Sequence, residues 1–88
     1  MLREEFIKIC KKLGGKLIGN TCRLDKYYIV HDKDFLKVYV GKTKIKIKPE
    51  VVGYDKDSVH VYTNTGVCLT LRRGKVSVNK GYFEAEIE

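Results

Sequence analysis

The chain has 88 residues, 18 Lys/Arg against 11 Asp/Glu and a net charge of +7. This length allows a single domain, residues 1–88, that buries somewhat over ~60% of its unfolded surface. No apolar run approaches the ~20 residues of a membrane span, and MLREEFIKIC has acids where a secretory leader has a plain apolar stretch, so a cytoplasmic setting without a membrane partner is expected.

The charge is unevenly spread. Residues 1–50 hold thirteen Lys/Arg against six Asp/Glu, a surplus of seven, whereas residues 51–88 hold five of each. The whole net charge therefore lies in the first part, which implies a patch. The chain has no Gln, no Trp and a single Ala, with much Lys. Lys enrichment with few thermolabile amides is a hyperthermophile trend, which suits an archaeal or viral thermophilic origin.

Taken in chain order, Leu2 to Leu13 predicts a helix. Leu2, Phe6, Ile9, Cys10 and Leu13 form one apolar stripe. Glu4 and Glu5 lie in the first turn and Lys8, Lys11 and Lys12 toward the end, as the helix dipole favours. Gly14-Gly15 supplies a left-handed stop. Residues 16–88 read as short strands with turn signals every 8–12 residues, at Gly19-Asn20, Asp25-Lys26, Asp32-Lys33-Asp34, Gly41-Lys42, Asn64-Thr65-Gly66, Arg73-Gly74 and Lys80-Gly81. The expected fold is α+β: an N-terminal amphipathic helix packed on a curved antiparallel β-meander or a small β-barrel.

The most informative segment is FLKVYVGKTKIKIKPE. A two-residue turn at Gly41-Lys42 sets Val40 opposite Thr43, Tyr39 opposite Lys44, Val38 opposite Ile45, Lys37 opposite Lys46, Leu36 opposite Ile47 and Phe35 opposite Lys48. One face is then apolar. The other carries Phe35, Lys37, Tyr39, Lys44, Lys46 and Lys48, with Lys42 at the turn. This clean sorting supports the register. It also opposes Lys37 to Lys46, which costs a few tenths of a kcal/mol up to about 1. Around Asp25-Lys26, Cys22 faces Ile29 and Arg23 faces Tyr28, so Arg23 and Tyr28 extend the same outer face.

Cations interleaved with rings are what a single-strand nucleic-acid platform needs: lysines for phosphates, aromatics for bases. Lysine, a point charge, favours backbone contact over base reading, so little sequence preference is expected for DNA or RNA. A second reading uses the same face against an acidic protein partner, in an interaction module that is virus-encoded or homodimeric. Two simpler roles compete. Lysines on an edge strand guard against aggregation. The C-terminal FEAEIE puts Glu84, Glu86 and Glu88 on one face, and if it neighbours the lysine strand it neutralises that row with weak exposed ion pairs.

Nothing marks an enzyme or a cofactor site. His31 and His60 lack an evident nucleophile or paired acid, and Ser58 and Ser77 lie in no elbow motif. The DKD segments at Asp32-Asp34 and Asp55-Asp57 are ordinary turn chemistry rather than metal ligands. Cys10, Cys22 and Cys68 lack CxxC spacing and are expected as buried free thiols, without zinc or a disulfide framework. Arg72-Arg73-Gly74-Lys75 is a second basic point, at a hairpin tip.

Overall fold

The computed structural model describes all 88 residues. Helix α1 (Arg3–Leu13) is followed by β1 (Lys16–Ile18), β2 (Thr21–Arg23), β3 (Tyr28–Asp32), β4 (Phe35–Val40), β5 (Thr43–Ile47), β6 (Val51–Tyr54), β7 (Val59–Tyr62), β8 (Val67–Leu71), β9 (Val76–Lys80) and β10 (Phe83–Ile87). They form two five-stranded antiparallel meanders, β1 to β5 and β6 to β10, each with its strands in chain order.

The expected barrel does not form, because the two meanders do not pair into one closed sheet. The break falls at Lys48-Pro49-Glu50, between β5 and β6. Proline has no N–H to give a ladder and is tolerated only where pairing stops. The strands at the outer edges, β1, β5, β6 and β10, each keep one unpaired side.

The predicted helix starts one residue late. Leu2 is its extended N-cap and is 73% exposed, so it does not join the core. The rest of the stripe does: Phe6, Ile9, Cys10 and Leu13 are all buried. Gly14 ends the helix in the left-handed region at φ 72°, with its N–H reaching back to Lys11 O and that of Gly15 to Cys10 O.

One core serves both meanders. Sheet one contributes Cys22, Ile29, Leu36, Val38 and Val40, and sheet two contributes Val59, Val61, Leu69, Leu71 and Val76. Burying each larger side chain is worth about 1.5–3 kcal/mol. The helix bridges the two sheets. Arg3 bonds Asn20 Oδ1 and Gly19 O in the β1–β2 turn, while the Tyr54 hydroxyl in β6 donates to Glu5 Oε2. Burial and the Glu5 hydrogen bond both push the Tyr54 hydroxyl pKa up.

The cysteine expectation needs correcting. Cys10 of α1 and Cys22 of β2 form a disulfide, with Cα atoms 5.7 Å apart, and only Cys68 is free. The spacing of 12 residues looked uninformative because the bond is tertiary: the helix stripe and the inner face of β2 meet there. A Cβ at Gly15 would collide with Cys22 Sγ, so the bare glycine makes room for the bond. Buried disulfides persist in oxidising compartments and in hyperthermophile cytoplasm. No helix is long and apolar enough to cross a membrane.

Candidate nucleic-acid interface

The hairpin register is found as expected from Val40↔Thr43 through Leu36↔Ile47, including Lys37↔Lys46. Gly41, at φ 57°, takes the left-handed first position of the two-residue turn. The outermost expected pair is absent. Phe35 pairs with Asp32, and Lys48 lies one residue beyond the end of β5. Around Asp25-Lys26 the pairs Cys22↔Ile29 and Arg23↔Tyr28 are present.

These registers join into rows. Lys16↔Arg23, Arg23↔Tyr28, Tyr28↔Tyr39 and Tyr39↔Lys44 follow one another across all five strands of sheet one. At about 4.8 Å per strand the row is about 19 Å long, with cations at both ends and two tyrosines in the middle. The rings of Tyr28 and Tyr39 stack, with centroids 4.7 Å apart and planes 11° from parallel. Such a pair is worth about 0.5–1.5 kcal/mol beyond its buried area. Lys44 Nζ lies 5.6 Å from the Tyr39 centroid, so Tyr39 is covered, whereas Tyr28 is 42% exposed.

The next row carries Val30, Lys37 and Lys46. The opposed lysines are kept apart by different partners. Lys37 Nζ sits 2.7 Å from Asp32 Oδ2. Lys46 Nζ turns over the Phe35 ring, 4.2 Å from its centroid. The hydrogen bond from Lys37, reinforced by its charge, holds the Asp32 carboxyl below the usual carboxylate range. The same hydrogen bond pushes the Lys37 ammonium above the ordinary lysine value. Phe35 is thus a support for a lysine rather than an open stacking ring.

Of the nine residues singled out from the sequence, Arg23, Tyr28, Phe35, Lys37, Tyr39, Lys44 and Lys46 come together on this face. Lys42 is exposed at the turn and Lys48 is exposed past the strand end. Lys16 was missed. Counting back through the Gly19-Asn20 turn, where Ile18 faces Thr21, places it opposite Arg23. The neutralisation of Lys37 by Asp32 was also missed, because a loop-flanking Asp reads first as turn chemistry.

The acidic strand does not neutralise the lysine row. β10 pairs only with β9, setting Glu84 opposite Asn79 and Glu86 opposite Ser77 on the outer face of sheet two. The two strands touch at one corner, where Thr43 Oγ1 donates to Glu88 O at 2.8 Å. The ion pairs in the molecule are Lys37–Asp32 and, when the imidazole is protonated, His60–Asp55. Lys16, Arg23, Lys44, Lys46 and Lys48 therefore have no carboxylate within 4 Å.

Sheet two carries a polar cluster that the sequence did not signal. His60 Nε2 lies 2.6 Å from Asp55 Oδ2 and 3.1 Å from Ser58 Oγ, while Nδ1 lies 3.1 Å from Thr70 Oγ1. The residue types suggest a nucleophile relay, but the geometry does not. Asp55 and Ser58 share one ring nitrogen, whereas a relay needs acid and nucleophile on opposite nitrogens, and the hydroxyl on the other nitrogen, Thr70, is buried. Ser58 is also only 2% exposed. The cluster ties the β6–β7 turn to β8.

The chain matches no family model, no curated protein and no solved structure.

Proposed function

We propose that this chain is a non-enzymatic nucleic-acid-binding protein that holds a strand of DNA or RNA by its backbone on the outer face of sheet one. The supporting observation is the row Lys16–Arg23–Tyr28–Tyr39–Lys44. It sets unpaired cations on either side of a stacked ring pair whose outer member, Tyr28, is open to a base. Base–aromatic stacking tolerates any sequence, and the lysines contact phosphate as point charges, so sequence preference is small.

The test is a salt titration of binding to an oligonucleotide. Five unpaired cations on or beside the face allow about five phosphate contacts. Affinity then falls on the order of 10²–10³-fold between 50 and 200 mM salt, the lower figure applying to a single strand. A curve indifferent to salt overturns the reading. Absence of nucleic-acid retention, with capture of an acidic polypeptide instead, assigns the face to a protein partner.

A further inference from the structure

The basic tip Arg72-Arg73-Gly74-Lys75 is not a free-standing hairpin end. The buried Tyr27 hydroxyl donates to Arg72 O at 2.6 Å and pins the tip against sheet one. Arg73 folds over the bare helix stop, so that a Cβ at Gly14 would lie 2.9 Å from its Nη2. Lys12 of α1 reaches the β6–β7 turn, donating from Nζ to Lys56 O at 3.1 Å. These ties build an open cleft of about 660 Å³ lined by no hydrophobic residue. Its walls carry Lys12, Lys56, Arg72, Arg73 and Lys75, against Asp57 and Glu86. Neither acid comes within 4 Å of any of the five cations.

Five cations against two acids leave an excess of positive charge that repels itself, and three separate parts of the chain converge here to keep the cations together. The cleft is also continuous with the platform. A second hollow of about 600 Å³ shares Arg73 and Gly74 with it and is lined by Lys16 and Arg23. Those two residues are the end of the cross-strand row.

From this continuity we infer that the cleft between the end of α1 and the β8–β9 tip is a second phosphate-binding site. It takes the backbone of the same nucleic-acid strand after that strand leaves the Tyr28–Tyr39 row past Arg23 and Lys16. The inference rests on the function proposed above, and it adds a direction to it. The strand runs across the β-strands, from Lys44 toward Lys16, and ends among Lys12, Arg73 and Lys75.

The inference makes binding depend on length. A row of about 19 Å accommodates roughly five to six nucleotides at ~3.4 Å each, and only a longer strand reaches the cleft. Labelled thymidine oligomers of about four and about twelve nucleotides are compared by fluorescence anisotropy, with three variants alongside the wild type. In Arg73→Glu/Lys75→Glu, affinity for the longer oligomer falls on the order of ten- to hundredfold. Its salt slope becomes shallower by about 1.4, the equivalent of two single-strand phosphates. The shorter oligomer, held by stacking on the row, changes within about twofold. Lys56→Glu/Lys75→Glu, which leaves the Arg73 packing on Gly14 intact, gives the same selective loss and separates it from misfolding. Lys44→Glu/Lys46→Glu weakens binding of both oligomers, on the order of 10²-fold at 50 mM salt.

An unchanged salt slope on the longer oligomer in both cleft variants overturns the second site. Equal losses on both lengths overturn it too. If Lys44→Glu/Lys46→Glu spares the shorter oligomer, the platform reading fails instead. A wild type that binds neither oligomer removes both.

Discussion

The two sheets of this protein are near-copies in architecture and opposites in chemistry. Each is a five-stranded antiparallel meander with its strands in chain order, and each turns an aliphatic face to the shared core. Their outer faces differ. Sheet one shows Lys16, Arg23, Tyr28, Phe35, Tyr39, Lys44 and Lys46, whereas sheet two carries His60, Tyr62, Asn79, Glu84 and Glu86 around Thr70 and Ser77, which are buried. Core packing demands only the inward half of each strand. The outward half is free to differ, and only sheet one sets a row of cations around a stacked pair of tyrosines there. A purely solubilising surface would mix both signs on both faces. The asymmetry is therefore where function is to be sought.

The comparison presumes that the sheets form one cooperative body. Leu36 of sheet one and Leu71 of sheet two are both fully buried in the common core. Truncating either to Ala is expected to cost about 2–5 kcal/mol, through lost burial and the cavity left behind. Each variant should still unfold in a single transition, with far-UV circular dichroism and tyrosine fluorescence coinciding. Two separated transitions would show that the sheets are independent and that only their sequence adjacency joins them.

A second difference between the sheets is covalent. The Cys10–Cys22 bond staples α1 to sheet one, and sheet two has no counterpart. Closing a loop of this length constrains the unfolded chain by about 3 kcal/mol in the chain-entropy model. Reduction, or a Cys10→Ala/Cys22→Ala variant, should lower stability in denaturant titrations by about that amount. Equal stability with and without reductant would mean that core packing alone holds the helix in place.

The parts legible in the sequence were those set by local rules. The amphipathic stripe, the left-handed stop at Gly14 and the two-residue turn at Gly41-Lys42 are local, and they fixed the β4–β5 register and the lysine face. Features that depend on distant partners were not legible. The disulfide, the division into two sheets, the place of β10 against β9 and the packing of Arg73 on Gly14 all join segments whose meeting no local spacing encodes. Lys16 is intermediate. It followed from a local turn, but only by carrying the register through a second hairpin.

Charge reversal makes the chemical contrast direct. Lys44→Glu/Lys46→Glu should weaken oligonucleotide binding by on the order of 10²-fold at 50 mM salt, since two contacts become repulsions. The mirror change on the other sheet, Glu84→Lys, should raise affinity only a few-fold, through net charge rather than contact. This glutamate lies on a different sheet from the lysines, outside the basic cleft, and screens them only at long range. Comparable effects from the two variants would dissolve the distinction between the faces and reduce binding to overall charge.

The smallest effect tests the one place where sheet one limits its own charge. Asp32 holds Lys37 at 2.7 Å, so this lysine is not free for a phosphate. Asp32→Asn removes the counter-charge with little change in shape. The freed ammonium should raise single-strand affinity on the order of three- to tenfold at 50 mM salt and steepen the salt slope by about 0.7. The sign of the pH dependence follows from the lowered pKa of Asp32. The ion pair is fully present above the ordinary carboxylate value near 4 and is lost as pH falls through the lower folded value. Wild type and Asp32→Asn should therefore differ most at neutral pH and converge only in strong acid. A variant that binds no better than wild type at pH 7 would show that Lys37 does not face the bound strand, and would confine the contact surface to the row from Lys16 to Lys44.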